Sequence, residues 1–148
     1  MNNDLALAME FLRGDGSPLM LTASPLQQAL KAKILQLDPK QGHSVLEFEP
    51  GEEFMQGGGA IQGGIVATML DFAMAFAAFA RLVPDASLGS ATLTINFMKP
   101  ALPGLLIARG RVVRMGSRLI FAEAELGADT SNVTAAATTV MAVVPTKN

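Results

Sequence analysis

The feature that most constrains this chain is a long apolar stretch with a single charge near its middle. It covers residues 61–80, IQGGIVATMLDFAMAFAAFA, and its charged residue is Asp71. Glycines open the stretch and Pro84 follows it, so we predict a helix that ends near Arg81. Because burial of an unpaired carboxylate is costly, Asp71 needs either a partner or a function.

The same stretch is apolar enough to suggest a membrane span, so its surroundings decide how it is interpreted. Segments whose hydrophobicity alternates with a period of two lie on both sides of it, which is typical of β-strands. A sheet that folds around one helix makes that helix apolar on nearly all sides. We therefore interpret residues 61–83 as a buried helix and expect no membrane partner.

Composition excludes several classes of protein. The 148 residues suffice for one domain with one core, and half of them are hydrophobic, which predicts a globular chain. A net charge of −2 argues against a nucleic-acid surface. The absence of cysteine excludes disulfides and thiolate chemistry, and no spacing of His, Asp and Glu suggests a metal. The first residues lack the features of a secretory signal, so we expect a cytoplasmic location.

Turn signals and hydrophobic spacing predict the order of the elements. A helix is predicted at 4–13, and a second, short helix begins with Ser24 as N-cap and Pro25 at its first position. We expect residues 1–24 to form an N-terminal extension and residues 25–148 an α+β domain. In that domain a long central helix lies across a curved antiparallel sheet. Strands are predicted at 30–38, 44–49, 90–98, 105–115, 119–128 and 133–144.

The strands after the central helix are predicted to form an antiparallel meander. In the strand predicted at 90–98, polar and apolar residues alternate, so successive side chains should point to opposite faces of the sheet. One face would carry Ser90, Thr92, Thr94 and Asn96, and the other Ala91, Leu93, Ile95 and Phe97.

Asp71 is the first candidate for catalysis. Its side of an ideal helix carries only small residues, so the carboxylate would face open space or closely packed backbone. This pattern suits a general base or nucleophile, and it equally suits an acid that caps a neighbouring chain or pairs with an arginine. The small residues are Gly64, Ala67, Thr68, Ala75 and Ala78.

The glycines at the start of the helix are the second candidate. Free N–H groups and the positive end of the helix dipole favour negative charge there. Gly63 and Gly64 therefore suit an oxyanion hole for acyl transfer, although plain capping explains them too. Asp71 lies roughly 12 Å further along the helix axis, too far to act on the same carbonyl within one chain. A site shared between two subunits resolves this distance.

The remaining polar residues are less specific. Ser90 is placed to hydrogen-bond near the carboxylate, but no G-x-S-x-G motif surrounds it. The single histidine, His43, is predicted to lie in a turn, which argues against a Ser-His-Asp triad. The late basic residues suit either the phosphates of a long anionic ligand or a solvated outer sheet face. They are Lys99, Arg109, Arg111, Arg114 and Arg118.

Three segments together resemble the hotdog-fold acyl-CoA thioesterases of the 4-hydroxybenzoyl-CoA thioesterase-like superfamily, closest to the phenylacetate-degradation and human-type branch. They are IQGGIVATMLD, SATLTINFMKPA and RMGSRLIFAEAEL. The resemblance covers residues 25–144. It implies a hotdog fold and hydrolysis of an acyl-CoA, with coenzyme A as part of the substrate and no further cofactor. It also implies a homodimer whose sheets join and whose active sites lie at the interface, with two such dimers forming a tetramer.

The resemblance implies roles for individual residues. Asp71 would be the base or nucleophile, the Gly63 and Gly64 amides would polarise the thioester carbonyl, and Ser90 would assist. Two segments would contact coenzyme A. They are Phe97, Met98, Lys99 and Pro100, and then Met115, Gly116, Ser117 and Arg118.

Two departures from the family pattern keep a second function open. Gln62 stands where the family typically has His, and Gln56 where it often has an Asn that helps to place the water. Glutamine cannot become cationic, and it is longer than asparagine. The alternative is therefore a hotdog protein that binds acyl-CoA without cleaving it. A hydratase on the same fold ranks lower, because it needs a catalytic histidine and His43 lies outside the helix.

Overall fold

The computed structural model describes residues 2–145. Its α-helices are α1 (Asn3–Arg13), α2 (Pro25–Ala29) and α3 (Gly63–Phe79), and Glu52–Phe54 form one 3₁₀ turn. Its strands are β1 (Leu19–Met20), β2 (Lys33–Asp38), β3 (His43–Phe48), β4 (Ala86–Phe97), β5 (Leu106–Met115), β6 (Leu119–Gly127) and β7 (Val133–Pro145).

All seven strands belong to one antiparallel sheet in the order β1-β2-β3-β5-β6-β7-β4. The predicted α+β architecture with a central helix on a sheet is confirmed. The predicted meander is correct for β5, β6 and β7 but wrong for β4, which pairs with β7 rather than β5. The connection over residues 98–105 is longer than a hairpin turn and carries the chain from the sheet edge back to its middle. Strand β4 is consequently an edge strand.

Helix α3 is seated directly on the middle of the sheet. The Ser44 hydroxyl of β3 donates a hydrogen bond of 2.6 Å to the backbone carbonyl of Ala73. Gly110 of β5 lies so close that an added Cβ would be 2.2 Å from the same oxygen. The side chains of α3 that face the sheet are buried, among them Met69, Leu70 and Met74. Within residues 2–145 no helix is long and apolar enough to span a membrane.

A β-bulge in β4 overturns the predicted alternation of that strand. Ser90 is opposite Met141 and Thr92 is opposite Val140, so the register shifts at Ala91. Because side chains alternate, one extra residue reverses the faces of everything on one side of it. Ser90 therefore lies on the inner face, toward α3, whereas Thr92 lies on the outer face, so the predicted shared face of these two residues is wrong.

Several predicted boundaries also change. The first predicted strand begins at Lys33 instead of residue 30, because Leu30 caps α2 and Lys31 has a left-handed φ of 49°. His43 is the first residue of β3 and does not lie in a turn. The Ser24 N-cap is confirmed, and it forms a capping box with Gln27.

The N-terminal helix packs on the same core as the central helix. Leu5 and Ala8 of α1 are fully buried and belong to the cluster that includes α3. Strand β1 pairs with β2 at the far edge of the sheet. The sequence predicts an N-terminal extension over 1–24 and a domain over 25–148. Met1 of the first and residues 146–148 of the second lie outside the described residues.

Candidate active site

Asp71 and Ser90 meet at the edge of the sheet. The Ser90 hydroxyl on β4 donates a hydrogen bond of 2.7 Å to Oδ1 of Asp71 on α3. Asp71 is half-buried and Ser90 is exposed, so the pair is open to solvent in the single chain. The ion pairs formed among residues 2–145 do not include Asp71. The carboxylate is thus oriented by a neutral donor and keeps its second oxygen for another group.

The tip of α3 presents backbone amides to solvent. The amides of Ile65 and Val66 bond to the carbonyl of the N-cap residue, Gln62, at 2.9 and 3.1 Å. Within residues 2–145 the amides of Gly63 and Gly64 have no backbone acceptor. Such free donors at a helix N-terminus favour an oxyanion.

The two glycines at this tip have different surroundings. A Cβ added to Gly63 would lie 3.4 Å from the ring of Phe97, whereas one added to Gly64 would have no atom of the described chain within 4 Å. The Gly64 backbone therefore faces open space, while Phe97 covers Gly63. Of the two predicted oxyanion-hole residues, Gly64 is the accessible one.

The structure does not bring the helix tip and the carboxylate together within one chain. Both lie on the continuous helix α3, about 12 Å apart along its axis from Gly63 to Asp71. Strand β4 accompanies this side of the helix, with Ser90 at the carboxylate and Phe97 at the tip. One thioester carbonyl cannot contact both groups of the same subunit.

The glutamine-containing loop closes tightly in front of α3. Gln56 and Ala60 are joined by a backbone bond of 2.7 Å, and the Gln62 amide donates to Phe54 at 2.8 Å. The side-chain oxygen of Gln56 accepts from the Gly58 amide, so this oxygen stabilises the loop. The side chain of Gln62 is exposed and makes no capping bond.

The two segments predicted to contact coenzyme A lie at opposite ends of the sheet. Met115 is in the same cross-strand row as Ser90, through Ile120 and Met141. Phe97 lies seven positions further along β4, about 20 Å away in an extended strand. Phe97, Met98 and Arg118 are exposed. A single chain therefore does not unite these segments around one ligand.

Lys99 is held in place by the turn between β6 and β7. Its Nζ donates to Oδ1 of Asn132 at 2.7 Å, and its amide donates to the carbonyl of Thr134 at 3.1 Å. In the same turn, hydrogen bonds from the Ser131 side chain and amide hold the pKa of Asp129 below its usual value. Lys99 is thus a fixed positive charge near the Phe97 end of β4.

The arginines of β5 lie on the outer face of the sheet, away from Asp71. Arg111 forms an ion pair with Glu123, and Arg109 is opposite Glu125. A groove of about 880 Å³ runs over this face and contains none of the residues predicted to form the active site. For Arg111 the structure favours the interpretation as a solvated, charge-paired outer face, whereas Arg109 is half-buried and lines the groove.

Sequence reasoning missed two threonines that contact the irregular part of β4. The Thr139 hydroxyl donates to the Thr92 carbonyl at 2.6 Å, and the Thr92 hydroxyl accepts from the Val140 amide at 3.1 Å. Threonine is common in strands, so nothing in the sequence distinguishes these two.

A curved antiparallel sheet wrapped around one central helix is the hotdog fold. The model of the thioesterase superfamily matches residues 58–135, and the chain belongs to this family. Two proteins of Saccharolobus solfataricus that are provisionally named esterases are each 32% identical to it. The first match covers 70% of this chain and 71% of that protein, and the second 66% and 65%.

Solved structures show the same fold. A protein from Ralstonia eutropha, described provisionally as a thioesterase and as phenylacetic acid degradation-related, has a TM-score of 0.80 and 26% identity, covering 92% of this chain and 98% of that one. The Escherichia coli PaaI protein, from the phenylacetic acid degradation operon, has a TM-score of 0.76 and 18% identity, covering 98% and 96%. Membership of the superfamily supports hydrolysis of a thioester in general terms.

Proposed function

We propose that this protein hydrolyses acyl-CoA thioesters to a free acid and coenzyme A, with Asp71 as general base or nucleophile. The observation that carries the proposal is the hydrogen bond from Ser90 to Oδ1 of Asp71 in a thioesterase fold. This bond orients the carboxylate and leaves Oδ2 to meet a water molecule or the thioester carbon. Carboxylates in such a position serve as bases or as nucleophiles.

In the general-base version, Asp71 takes a proton from water while the oxygen of that water adds to the thioester carbon. The C–S bond then breaks, the acid is released, and the proton passes to the departing thiolate. In the nucleophilic version, Oδ2 attacks the thioester carbon, the C–S bond breaks and coenzyme A leaves as the thiolate, which takes up a proton. Water then hydrolyses the anhydride formed with Asp71, which releases the acid and restores the carboxylate. In both versions negative charge develops on the carbonyl oxygen, where the Gly64 amide would stabilise it.

A second copy of this chain would complete the site. Strand β4 is a long edge strand whose outer side pairs with no other described strand, and such edges favour pairing with another chain. Two copies would join antiparallel about a two-fold axis near Leu93 and Thr94, halfway between Ser90 and Phe97. The Ser90 end of one would then lie beside the Phe97 end of the other. Asp71 would thus face the Gly64 tip of the partner.

The same arrangement would unite the two segments predicted to contact coenzyme A. The exposed turn at Met115–Arg118 of one subunit would approach residues 97–100 of the other. Lys99 and Arg118 are the cations there that suit the phosphates of coenzyme A. The acyl or aryl group would extend along the small residues beside Asp71. We propose that the reaction uses no metal and no cofactor, since coenzyme A is part of the substrate. We also propose that the protein forms a homodimer and that two such dimers form a tetramer.

Replacement of Asp71 by Asn tests the proposal. Turnover of acyl-CoA substrates should fall by about 10²–10⁴-fold, because the amide can neither take a proton nor attack. The measurement is thiol release across short, long and aromatic acyl-CoAs, with circular dichroism to verify folding. Asp15→Asn, in the exposed loop after α1, is the matched control and should retain full activity. Unchanged turnover in a folded Asp71→Asn protein would remove Asp71 from the mechanism.

The second candidate function is binding of acyl-CoA without cleavage. It is favoured by the glutamines at positions 56 and 62 and by the engagement of the Gln56 side-chain oxygen with its own loop. Titration calorimetry with a short acyl-CoA separates the two functions. Saturable binding with no thiol released by the wild-type protein would support the binding protein and contradict hydrolysis.

A further inference from the structure

The orientation of Ser90 depends on an irregularity in β4. Ser90 pairs with Met141 and Thr92 with Val140, so Ala91 is the extra residue of a bulge. Without the bulge, alternation would turn the methyl group of Ala91 toward α3 and Ser90 toward the outer face. Alanine has no donor for the Asp71 carboxylate. The bulge therefore decides whether the carboxylate receives its hydrogen bond.

Two threonine side chains hold this bulge in place. The hydroxyl of Thr139 donates to the carbonyl of Thr92 at 2.6 Å, and the hydroxyl of Thr92 accepts from the amide of Val140 at 3.1 Å. Side-chain hydrogen bonds thus link β4 and β7 next to the extra residue, where the regular ladder is disturbed. The two bonds form a clamp between Thr92 of β4 and the adjacent residues Thr139 and Val140 of β7.

Burial makes the Thr139 contact a strong determinant of structure. Thr139 is only 3% exposed and lies on the inner side of β7. A buried hydroxyl without a partner is unfavourable, so the Thr92 carbonyl is held where it satisfies Thr139. A shift of β4 by one residue would break this bond as well as the one from Ser90 to Asp71.

We propose that Thr139 is a positioning residue of the active site, acting through the β4 bulge on Ser90 and through Ser90 on Asp71. The proposal rests on the function proposed above. Thr139 does not touch the substrate. It fixes the register that presents a serine, and not an alanine, to the catalytic carboxylate.

Thr139→Val is the direct test, because valine has nearly the same shape and lacks the hydroxyl. Its kcat should fall by about tenfold, comparable to the loss of one hydrogen bond between neutral groups, while KM changes little. Thr139→Ser keeps the donor and should restore most of the kcat. Thr138→Val is the matched control, since Thr138 is exposed on the outer face of the same strand. Equal kcat in Thr139→Val and the wild type overturns the proposal.

A double-mutant cycle distinguishes positioning from a general structural effect. If Thr139 acts through Ser90, then Thr139→Val should have no further effect on kcat in a Ser90→Ala protein. Fully additive losses would show that Thr139 acts by another route and would contradict the proposal.

Hydrogen exchange tests the clamp independently of activity. Thr92→Val, at an exposed position, and Thr139→Val should each lower the protection of the Val140 amide, measured by NMR on the folded proteins. Unchanged protection in both variants overturns the clamp. If the wild type hydrolyses no acyl-CoA while both variants lose protection, the proposed function fails and the clamp stands.

Discussion

At the scale of single residues, we expect replacement of Gly64 by alanine to lower activity without lowering stability. An added methyl group would meet no atom of the described chain within 4 Å, and alanine favours a helix over glycine by up to about 1 kcal/mol. We therefore expect Gly64→Ala to melt at the same temperature as the wild type or higher. Its kcat/KM should nevertheless fall about tenfold or more, because the methyl group would occupy the open space proposed for the thioester oxygen.

Differential scanning calorimetry and thiol-release kinetics on one preparation test this prediction. A Gly57→Ala variant is the control, since its added methyl group also meets nothing within 4 Å and lies outside the helix. Wild-type kcat/KM in Gly64→Ala would exclude the Gly64 amide from the oxyanion hole.

The side chains of the site show what sequence reveals at this scale and what it hides. Asp71 stands out because it is the single charge in an apolar helix. Ser90 could be expected to hydrogen-bond near it, because Ser90 begins the strand predicted directly after that helix. The face on which Ser90 lies could not be predicted, because Ala91 looks like any strand residue. The bulge is encoded in contacts with Thr139 and Val140, about fifty residues away in sequence.

At the scale of elements, the contact between α3 and the sheet depends on Gly110. A Cβ at this position would lie 2.2 Å from the Ala73 carbonyl oxygen, so the helix would have to move away from β5. We expect Gly110→Ala to lower the free energy of unfolding by about 1–3 kcal/mol, as overpacking of a core does. Ser44→Ala removes one buried hydrogen bond and should cost about 1 kcal/mol. Urea denaturation measures both, and a Gly110→Ala protein as stable as the wild type would contradict the contact.

The elements themselves were largely predictable, and their pairing was not. Helical and strand periodicity located α1, α3 and the long strands to within a few residues. The position of β4 beside β7 could not be predicted, because strand order depends on nonlocal contacts that leave no period in the sequence. The two-residue strand β1 is too short to leave a recognisable pattern.

At the scale of the whole molecule, the proposed site is divided between two subunits, and mixing two defective proteins tests this division. Asp71→Asn removes the acid, and Gly64→Leu fills the space in front of the oxyanion hole. In a mixed dimer, one site would carry both defects and the other would have two intact halves. Random exchange makes half of the dimers mixed, so roughly a quarter of wild-type activity should return.

A site contained in one chain gives the opposite result, because every chain in the mixture carries a defect. The two homodimers are therefore first shown to be inactive, then unfolded together in urea, refolded and assayed for thiol release. A mixture of each variant with itself, treated in the same way, is the control for refolding. Gly64 and Asp71 lie about 10 Å apart along the axis of one helix, and the proposed pairing of two β4 edges would bring Asp71 of one subunit and Gly64 of the other to one carbonyl. Activity that stays at the level of the separate variants would refute the shared site, and with it the role given to the β4 edge.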